Sequence, residues 1–460
     1  MKIVVLNGSP KGEISVTLQY VKYIQHQFPD HEYVVHHISQ RIKKLEHEEQ
    51  AFQAIIDDVR EADGVLWSFP LYHMLVPSQY KRFIELLWER GAVNAFTGKY
   101  AAVLTTSIHF YDHTAHNYMN AICDDLGMHY VDGFSAEMQD LLEERGRRQL
   151  TLFAQDFLDA LATQSPTIRN YPPVSFRPIE YAPGSATRTV STNGKKVLVV
   201  TDSEGPDTNL AKMVERFCAS FSGEVEVINL HDVDIKGGCM GCMQCGYDNV
   251  CAYTGKDGFV EFHKNKVETA DILVWAGTIK DRYLSSRWKT YFDRSFFNTH
   301  KPMLHNVQLA MIVSGPLGQN ANLRQILEVY PDFGQANFVG VVTDEYGDSA
   351  QIDQLLQAFA EKLVTYAQTG YVKPRTFLGI SALKLFRDEI YGGLRFPFVA
   401  DHRYYKQHGL YDFPGKDLRR RLFADLMMAL VKFPRMREDI YKKRLKMEVI
   451  KPYQRFLANV

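Results

Sequence analysis

Long apolar runs are missing from this 460-residue chain. None reaches the roughly 18 residues that a membrane-spanning helix requires, so the sequence predicts no helix through a bilayer. A charged leader followed by a cleavable apolar segment is missing too; the chain opens directly on the strand-like run Lys2 to Asn7. Together these two absences predict a cytoplasmic location. Cysteine is scarce, with six residues in all. Four of them crowd between Cys239 and Cys251, which in a cytosolic chain reads as metal or redox chemistry rather than a disulfide scaffold. Net charge is close to zero, at −1, and no nucleic-acid-binding module is recognisable, so no nucleic-acid partner is expected.

What is present reads as ordinary globular protein, 45% hydrophobic and 23% charged. The length predicts two or three domains, because single cores rarely grow beyond ~250–300 residues. In the first part, short apolar runs predict strands near 2–7, 32–38, 64–69, 100–106 and 128–134. Amphipathic stretches near 14–28, 48–61, 77–90, 112–125 and 145–163 predict helices. Apolar strands alternating with helices imply a parallel sheet, doubly wound. Residues 164–194 carry five prolines and end in Ser191-Thr192-Asn193-Gly194, a linker composition.

The pattern then restarts, with strands expected near 196–201, 224–230, 271–277, 307–314 and 337–343. Two long stretches pair without a gap at an offset of 208: Trp67 with Trp275, Lys81 with Lys289, Glu85 with Asp293 and Ala102 with Ala310. At the first strand Lys2 pairs with Lys196, an offset of 194, so about 14 extra residues, the cysteine group among them, enter the second copy. The expectation is an α/β chain of two tandem doubly wound flavodoxin-like domains, each with a parallel five-stranded sheet, plus a helical C-terminal extension. The boundaries expected are 1–165, a linker at 166–194, 195–370 and an extension at 371–460. The extension holds 20 Lys and Arg against 9 Asp and Glu. Two readings of it stand side by side: helices packed on their own domain, and a basic surface for membrane or partner contact.

Chemistry gathers at the ends of the first domain's strands. The strand Lys2–Asn7 runs into Gly8-Ser9-Pro10-Lys11-Gly12, then Ser15 and Thr17, then a helix. A phosphate there would meet backbone N–H groups at a helix N-terminus, hydroxyls and one cation. The spacing is neither a dinucleotide fingerprint nor a Walker A loop, so a monophosphate such as FMN fits better; the bland reading is a capped strand-to-helix turn. After the third strand come Pro70-Leu71-Tyr72-His73, Pro77 and Lys81, and after the fourth Thr105-Thr106-Ser107 with His109 and Tyr111. The carboxyl edge of an open α/β sheet is where ligands bind.

Gly8-Ser9-Pro10, Pro70-Leu71-Tyr72 and Lys81 resemble the flavodoxin-like NAD(P)H-dependent FMN and quinone reductase superfamily, over roughly residues 1–165. The resemblance implies phosphate contacts from Ser9, Lys11, Ser15 and Thr17. It implies ring contacts from Pro70, Leu71, Tyr72 and His73, and from Thr106, Ser107 and His109. Lys11 and Ser15-Val16-Thr17 stand where that family carries Arg and Asn-Thr. The activity implied is electron transfer from NAD(P)H through FMN to a quinone, flavin or other small-molecule or protein acceptor. The superfamily commonly dimerises with the flavin at the interface; a tandem chain forms that arrangement as a pseudo-dimer within one polypeptide, or further as a homodimer.

Cys239, Cys242, Cys245 and Cys251 follow C-x2-C-x2-C-x5-C, a compact spacing that suits an iron–sulfur cluster better than zinc. It resembles the motif of iron-sulfur flavoproteins, which implies a [4Fe–4S] cluster; an unmetallated cysteine loop stands beside that reading. The second domain's first loop carries Asp202, Glu204 and Asp207, which repel a phosphate dianion, so the first domain is expected to hold FMN more securely. Two further functional readings stay open: an electron-transferring iron-sulfur flavoprotein, and a cysteine-based redox sensor or scaffold.

Overall fold

The computed structural model describes residues 1–413 and 417–460; residues 414–416 of the expected extension lie outside the described residues. The described chain divides into two units, Met1–Arg403 and Tyr404–Val460. In the first unit, strands β1 (Lys2–Asn7), β2 (Glu32–His37), β3 (Gly64–Pro70), β4 (Tyr100–Ser107) and β5 (His129–Glu137) form one sheet. Strands β6 (Val197–Thr201), β7 (Val225–Asn229), β8 (Ile272–Thr278), β9 (Gln308–Ser314) and β10 (Asn337–Thr343) form another. Their orders are β2-β1-β3-β4-β5 and β7-β6-β8-β9-β10, with parallel pairings throughout. Both orders reverse direction between the first and third strands of the sheet, which is the doubly wound, flavodoxin-like topology.

Register repeats as well as order. Leu6 lies beside Trp67, and Val200 beside Trp275. Leu66 lies beside Ala102, and Val274 beside Ala310. The start of each sheet is closed in the same way: the backbone N–H of Lys2 donates to Asp63 and that of Lys196 to Asp271, at 2.8 and 2.9 Å.

The central strands are apolar on both faces because helices cover both. On the outer face of the first sheet, Leu18, Val21 and Ile24 of the helix Val16–Gln27 pack with Phe157 and Leu161 of the helix Glu144–Thr163. The second sheet's outer face is covered by Asn209–Cys218 and Ser349–Thr369. The inner faces share one continuous apolar cluster, which holds Phe69, Tyr80 and Phe83 of the first half and Trp275, Trp288 and Phe292 of the second. An apolar core shared across the join removes more water-exposed surface than either half could bury alone.

The join is made by two helices, Ser78–Glu89 and Ser286–Ser295. The Lys81 ammonium lies 2.7 Å from Glu85 and 3.0 Å from Asp281, with Lys81 fully buried. Glu85 reaches across to accept from the Ser286 backbone N–H at 2.6 Å and its hydroxyl at 2.5 Å. In return Asp293, paired with Lys289, accepts from the Ser78 backbone N–H at 2.7 Å. Each helix thus supplies the carboxylate that caps the other's first turn, where N–H groups have no partner within the helix. Burial alone would lower Lys81, but the Asp281 and Glu85 carboxylates outweigh it and hold the ammonium above its ordinary value.

The second unit carries helices Leu418–Leu430, Pro434–Glu438 and Leu445–Leu457, none with a buried residue. Among the described residues no helix is long and apolar enough to cross a membrane.

Candidate active site

The turn after β1 is built for close approach. Gly8 admits no side chain, since a methyl there would stand 2.7 Å from the Tyr80 ring and 2.9 Å from Phe69. Gly12 sits at φ +56, in the left-handed region. Ser9 is buried; its backbone N–H donates to Asn7 Oδ1 at 3.0 Å, and its hydroxyl accepts from the Lys11 N–H at 3.3 Å. Ser15 occupies the N-cap of the helix Val16–Gln27, yet its side chain caps no backbone N–H. A buried hydroxyl beside the open first turn of a helix is what an anion needs. Thr17 is buried and its hydroxyl bonds that of Thr106 at 2.6 Å, tying the phosphate turn to the end of β4.

Two further loops meet this turn at the same sheet edge. Pro70 closes β3, and the Leu71 backbone N–H donates to the Thr106 carbonyl at 3.1 Å. The Tyr72 and Leu75 backbones pair as an isolated antiparallel bridge. After β4, the Ser107 hydroxyl accepts from the His109 N–H at 2.8 Å, and His109 Nδ1 pairs with Asp112 at 2.7 Å. His73, Met74, His109 and Tyr111 all have positive φ, between 41 and 66°. Strained non-glycine backbone of this kind costs of order 1–3 kcal/mol per residue and persists where surrounding structure fixes it, typically at ligand clamps.

The second half supplies that fixing structure. Lys289 Nζ donates to the Tyr72 carbonyl at 2.8 Å, and the Tyr330 hydroxyl to the His73 carbonyl at 3.1 Å. Gln79 donates to the Cys239 carbonyl at 3.0 Å. Gly241, between Cys239 and Cys242, lies so close to Tyr72 that a methyl there would overlap the phenol oxygen and come within 3.1 Å of Lys11 Cε. The cysteine loop of the second half therefore covers both the ring loop and the phosphate-turn lysine of the first. Burial, with Cys239, Asp293 and Cys242 adding to it, holds the Tyr72 phenol well above its ordinary value.

Of the residues singled out from the sequence, Ser9, Lys11, Ser15, Thr17, Pro70, Leu71, Tyr72, Thr106, Ser107 and His109 come together on these three loops. His73 shares the loop but turns its ring into the other half, against Phe296 and Tyr330. Burial, then Lys289 and His300, push its imidazole down to about 3. Gln79, Gly241 and Lys289 were not anticipated as site residues. Lys289 alone had a signal, its register with Lys81.

The four cysteines share one loop, and neighbouring thiols add to the upward push on Cys239 and Cys245. The Cys239 sulfur accepts from the Gly241 N–H at 3.4 Å, the Cys245 thiol faces the Phe296 carbonyl at 3.6 Å, and Cys242 is exposed. Burial pushes the thiols of Cys239 and Cys245 up to about 12. Among the described residues there is no group of three or more His, Cys, Asp or Glu side chains placed to hold a metal ion. The [4Fe–4S] cluster expected from the spacing finds no support in this arrangement.

The equivalent edge of the second sheet is lined by carboxylates of the chain itself. Asp202 accepts from the Thr278 N–H at 3.2 Å and from the Ser285 hydroxyl. Burial pushes its carboxyl up to about 6. Asp344, fully buried, accepts from the Gly315 N–H at 2.8 Å, Ser314 at 2.7 Å and Asn209 at 2.8 Å. The interdomain linker crosses the same edge: Ser175 exchanges hydrogen bonds with Gln319, and Asn209 binds the Ile179 carbonyl and the Tyr181 N–H. The helix after β6 has its first turn capped by its own Thr208, which accepts from the Ala211 N–H.

Fold and topology together define an α/β protein of two flavodoxin-like sheets. Residues 1–140 match the sequence profile of the NADPH-dependent FMN reductase family. The enzyme class expected from the sequence, an FMN-dependent NAD(P)H oxidoreductase, accords with this match. No curated protein sequence matches the chain. Similar solved structures include an NADH:FMN oxidoreductase in its apo form, 18% identical, covering 34% of this chain and 87% of its own, at a TM-score of 0.30. A flavoenzyme NAD(P)H:(acceptor) oxidoreductase from Paracoccus denitrificans is 19% identical, covering 35% and 97%, at 0.29. An FMN-dependent NADH-azoreductase from Bacillus anthracis in complex with FMN is 14% identical, covering 35% and 98%, at 0.26.

Proposed function

We propose that the chain is an FMN-dependent NAD(P)H:acceptor oxidoreductase with one flavin site, built by both halves. The domains are taken as 1–165 and 195–370, joined by the linker 166–194 and followed by the extension 371–460. The repeated register and the reciprocal caps favour a duplication, in which the second copy surrendered its own site and became the first copy's wall. The observation that carries the reading is the contrast between the two equivalent turns. In the first, Ser15 leaves a helix N-terminus open beside buried Ser9 and Thr17; in the second, the Thr208 hydroxyl caps the equivalent helix by accepting from the Ala211 N–H at 3.2 Å.

FMN, when bound, would supply the redox chemistry between NAD(P)H and a quinone, flavin or other acceptor. The protein's work is to bind, orient and exclude water. Ser9, Ser15, Thr17 and Lys11 hold the phosphate. The backbone of Pro70–Tyr72 and the Thr106–His109 loop frame the ring, and Lys289 and Tyr330 hold the Tyr72 and His73 carbonyls of the first of these loops. Gly241 lets the cysteine loop lie against Tyr72 and shield that side from solvent.

A second reading, electron transfer involving the cysteines, is favoured by one observation: their loop touches the ring loop at Gly241 and Tyr72. Anaerobic isolation followed by flavin, iron and acid-labile sulfide assays, with NADH and NADPH oxidation measured against a quinone, separates the readings. Flavin with nicotinamide oxidation and no iron is expected. Stoichiometric iron and sulfide would favour the second reading, and a chain that oxidises neither nicotinamide with FMN present would overturn the first.

A further inference from the structure

The segment Tyr404–Val460 holds fourteen Lys and Arg against six Asp and Glu, an excess of eight positive charges. A segment with that balance and two amphipathic helices is normally read as solvated on one face and packed on the other. No residue of Leu418–Leu430, Pro434–Glu438 or Leu445–Leu457 is buried. Along Leu445–Leu457 the apolar side chains at helical spacing are exposed, from 41% at Ile450 and 45% at Leu445 to 61% at Val449, 68% at Tyr453 and 67% at Phe456. Lys451 and Arg455 take the other side. In Leu418–Leu430, Leu418, Leu422 and Leu426 are 58–68% exposed on one face, and Arg420 and Arg421 lie away from it. An apolar stripe left in water is an unmet demand for burial, and stripes of this size mark interaction sites.

We infer that these two helices dock the enzyme on an anionic lipid surface, with their apolar faces in the acyl boundary and their cations on the headgroups. Helix geometry argues for lipid over a protein groove. By helical spacing Arg419 falls between Leu426 and Leu430, and Lys446 between Tyr453 and Leu457, within the apolar faces. In a dry protein interface such a cation is buried and costly. At a bilayer its long stem lies along the apolar face while its head reaches the phosphates. Tyr453 and Phe456, like Phe433 and Tyr441 between the helices, are 63–68% exposed, and rings of this kind favour the interfacial zone. Pairing with a second copy would bring together two like-charged segments, whereas an anionic leaflet neutralises the excess.

The test is co-sedimentation of the full chain with vesicles of phosphatidylcholine alone and of phosphatidylcholine mixed with phosphatidylglycerol, with and without FMN. The chain is expected to pellet with the mixed vesicles only, with or without flavin, and to be released by high salt. The combined variant Arg419→Ser, Arg420→Ser, Arg421→Ser weakens partitioning on the order of a hundredfold, at roughly fivefold for each cation. The combined variant Val449→Ser, Tyr453→Ser, Phe456→Ser abolishes it while leaving the circular dichroism melt of the Met1–Arg403 unit in place. Equal binding to both vesicle types would overturn the proposal, as would binding unchanged in both variants. A chain that sediments as a dimer or is held by polyglutamate, and ignores lipid, assigns the faces elsewhere and overturns it too. None of these readouts depends on flavin reduction, so the docking claim and the enzymatic reading fail separately.

Discussion

His73 shows how one side chain can leave a site that its neighbours form. It follows Pro70-Leu71-Tyr72, yet at φ +41 its ring is carried between Phe296 and Tyr330. Burial pushes the imidazole from 6.5 to about 3, so the native state refuses a proton that the unfolded chain accepts. Its contribution to stability is therefore complete above pH 6.5 and is lost progressively as the pH falls toward 3. The variant His73→Asn, which tolerates positive φ, removes this dependence. In urea unfolding the variant should lose less stability than the parent between neutral pH and pH 4, and curves that stay parallel would contradict the account. The sequence placed Tyr72 and His73 in one loop but could not show that Tyr72 would meet the cysteine loop at Gly241 and His73 a separate aromatic pair of the second half. That division is decided by residues more than 200 positions away, Phe296 and Tyr330.

At the scale of elements, all ten strands were legible because β-strands buried on both faces are nearly continuous apolar runs. The helix Ile38–His47 was not anticipated: it follows β2 without a break and is parted from the helix Glu49–Glu61 by Glu48 alone, so no Gly or Pro punctuates it. The pairing of Lys81 with Lys289 and of Glu85 with Asp293 was visible as register, but not as a crosswise exchange of caps. Periodicity finds a helix's own face and says nothing of which helix will lie across it. The exchange makes a prediction. Glu85→Ala leaves the buried Lys81 with Asp281 as its carboxylate and strips the Ser286 N–H of its cap. Removing one member of a buried pair costs about 3–5 kcal/mol. Urea titration should find a loss of that size for Glu85→Ala and a smaller one for Glu85→Gln. A loss under about 1 kcal/mol would show that the pair behaves like a surface one.

On the scale of the whole molecule, two sheets of one topology carry unequal edges. The sequence foreshadowed the inequality through Asp202, Glu204 and Asp207. Of these, Asp202 is the one that turns inward, and it is joined by Asp344 and the linker, whose roles no motif announced. The residues that meet at this edge come from just past β6 and β10 and from the segment 175–181, a convergence that only tertiary structure creates. The same distance hid Gly241 from Tyr72, the contact by which the second half walls the first half's site.

The central claim is that the turn Gly8–Thr17 holds the flavin and its counterpart does not. Isothermal titration of the flavin-free chain with FMN tests it most directly, run beside the double variant Ser15→Ala, Thr17→Val. The account predicts one FMN per chain. It also predicts at least tenfold weaker binding in the variant, since each hydrogen bond to a charged group contributes about 1.5–3 kcal/mol. Two FMN per chain, none, or a variant that binds as tightly as the parent would contradict it.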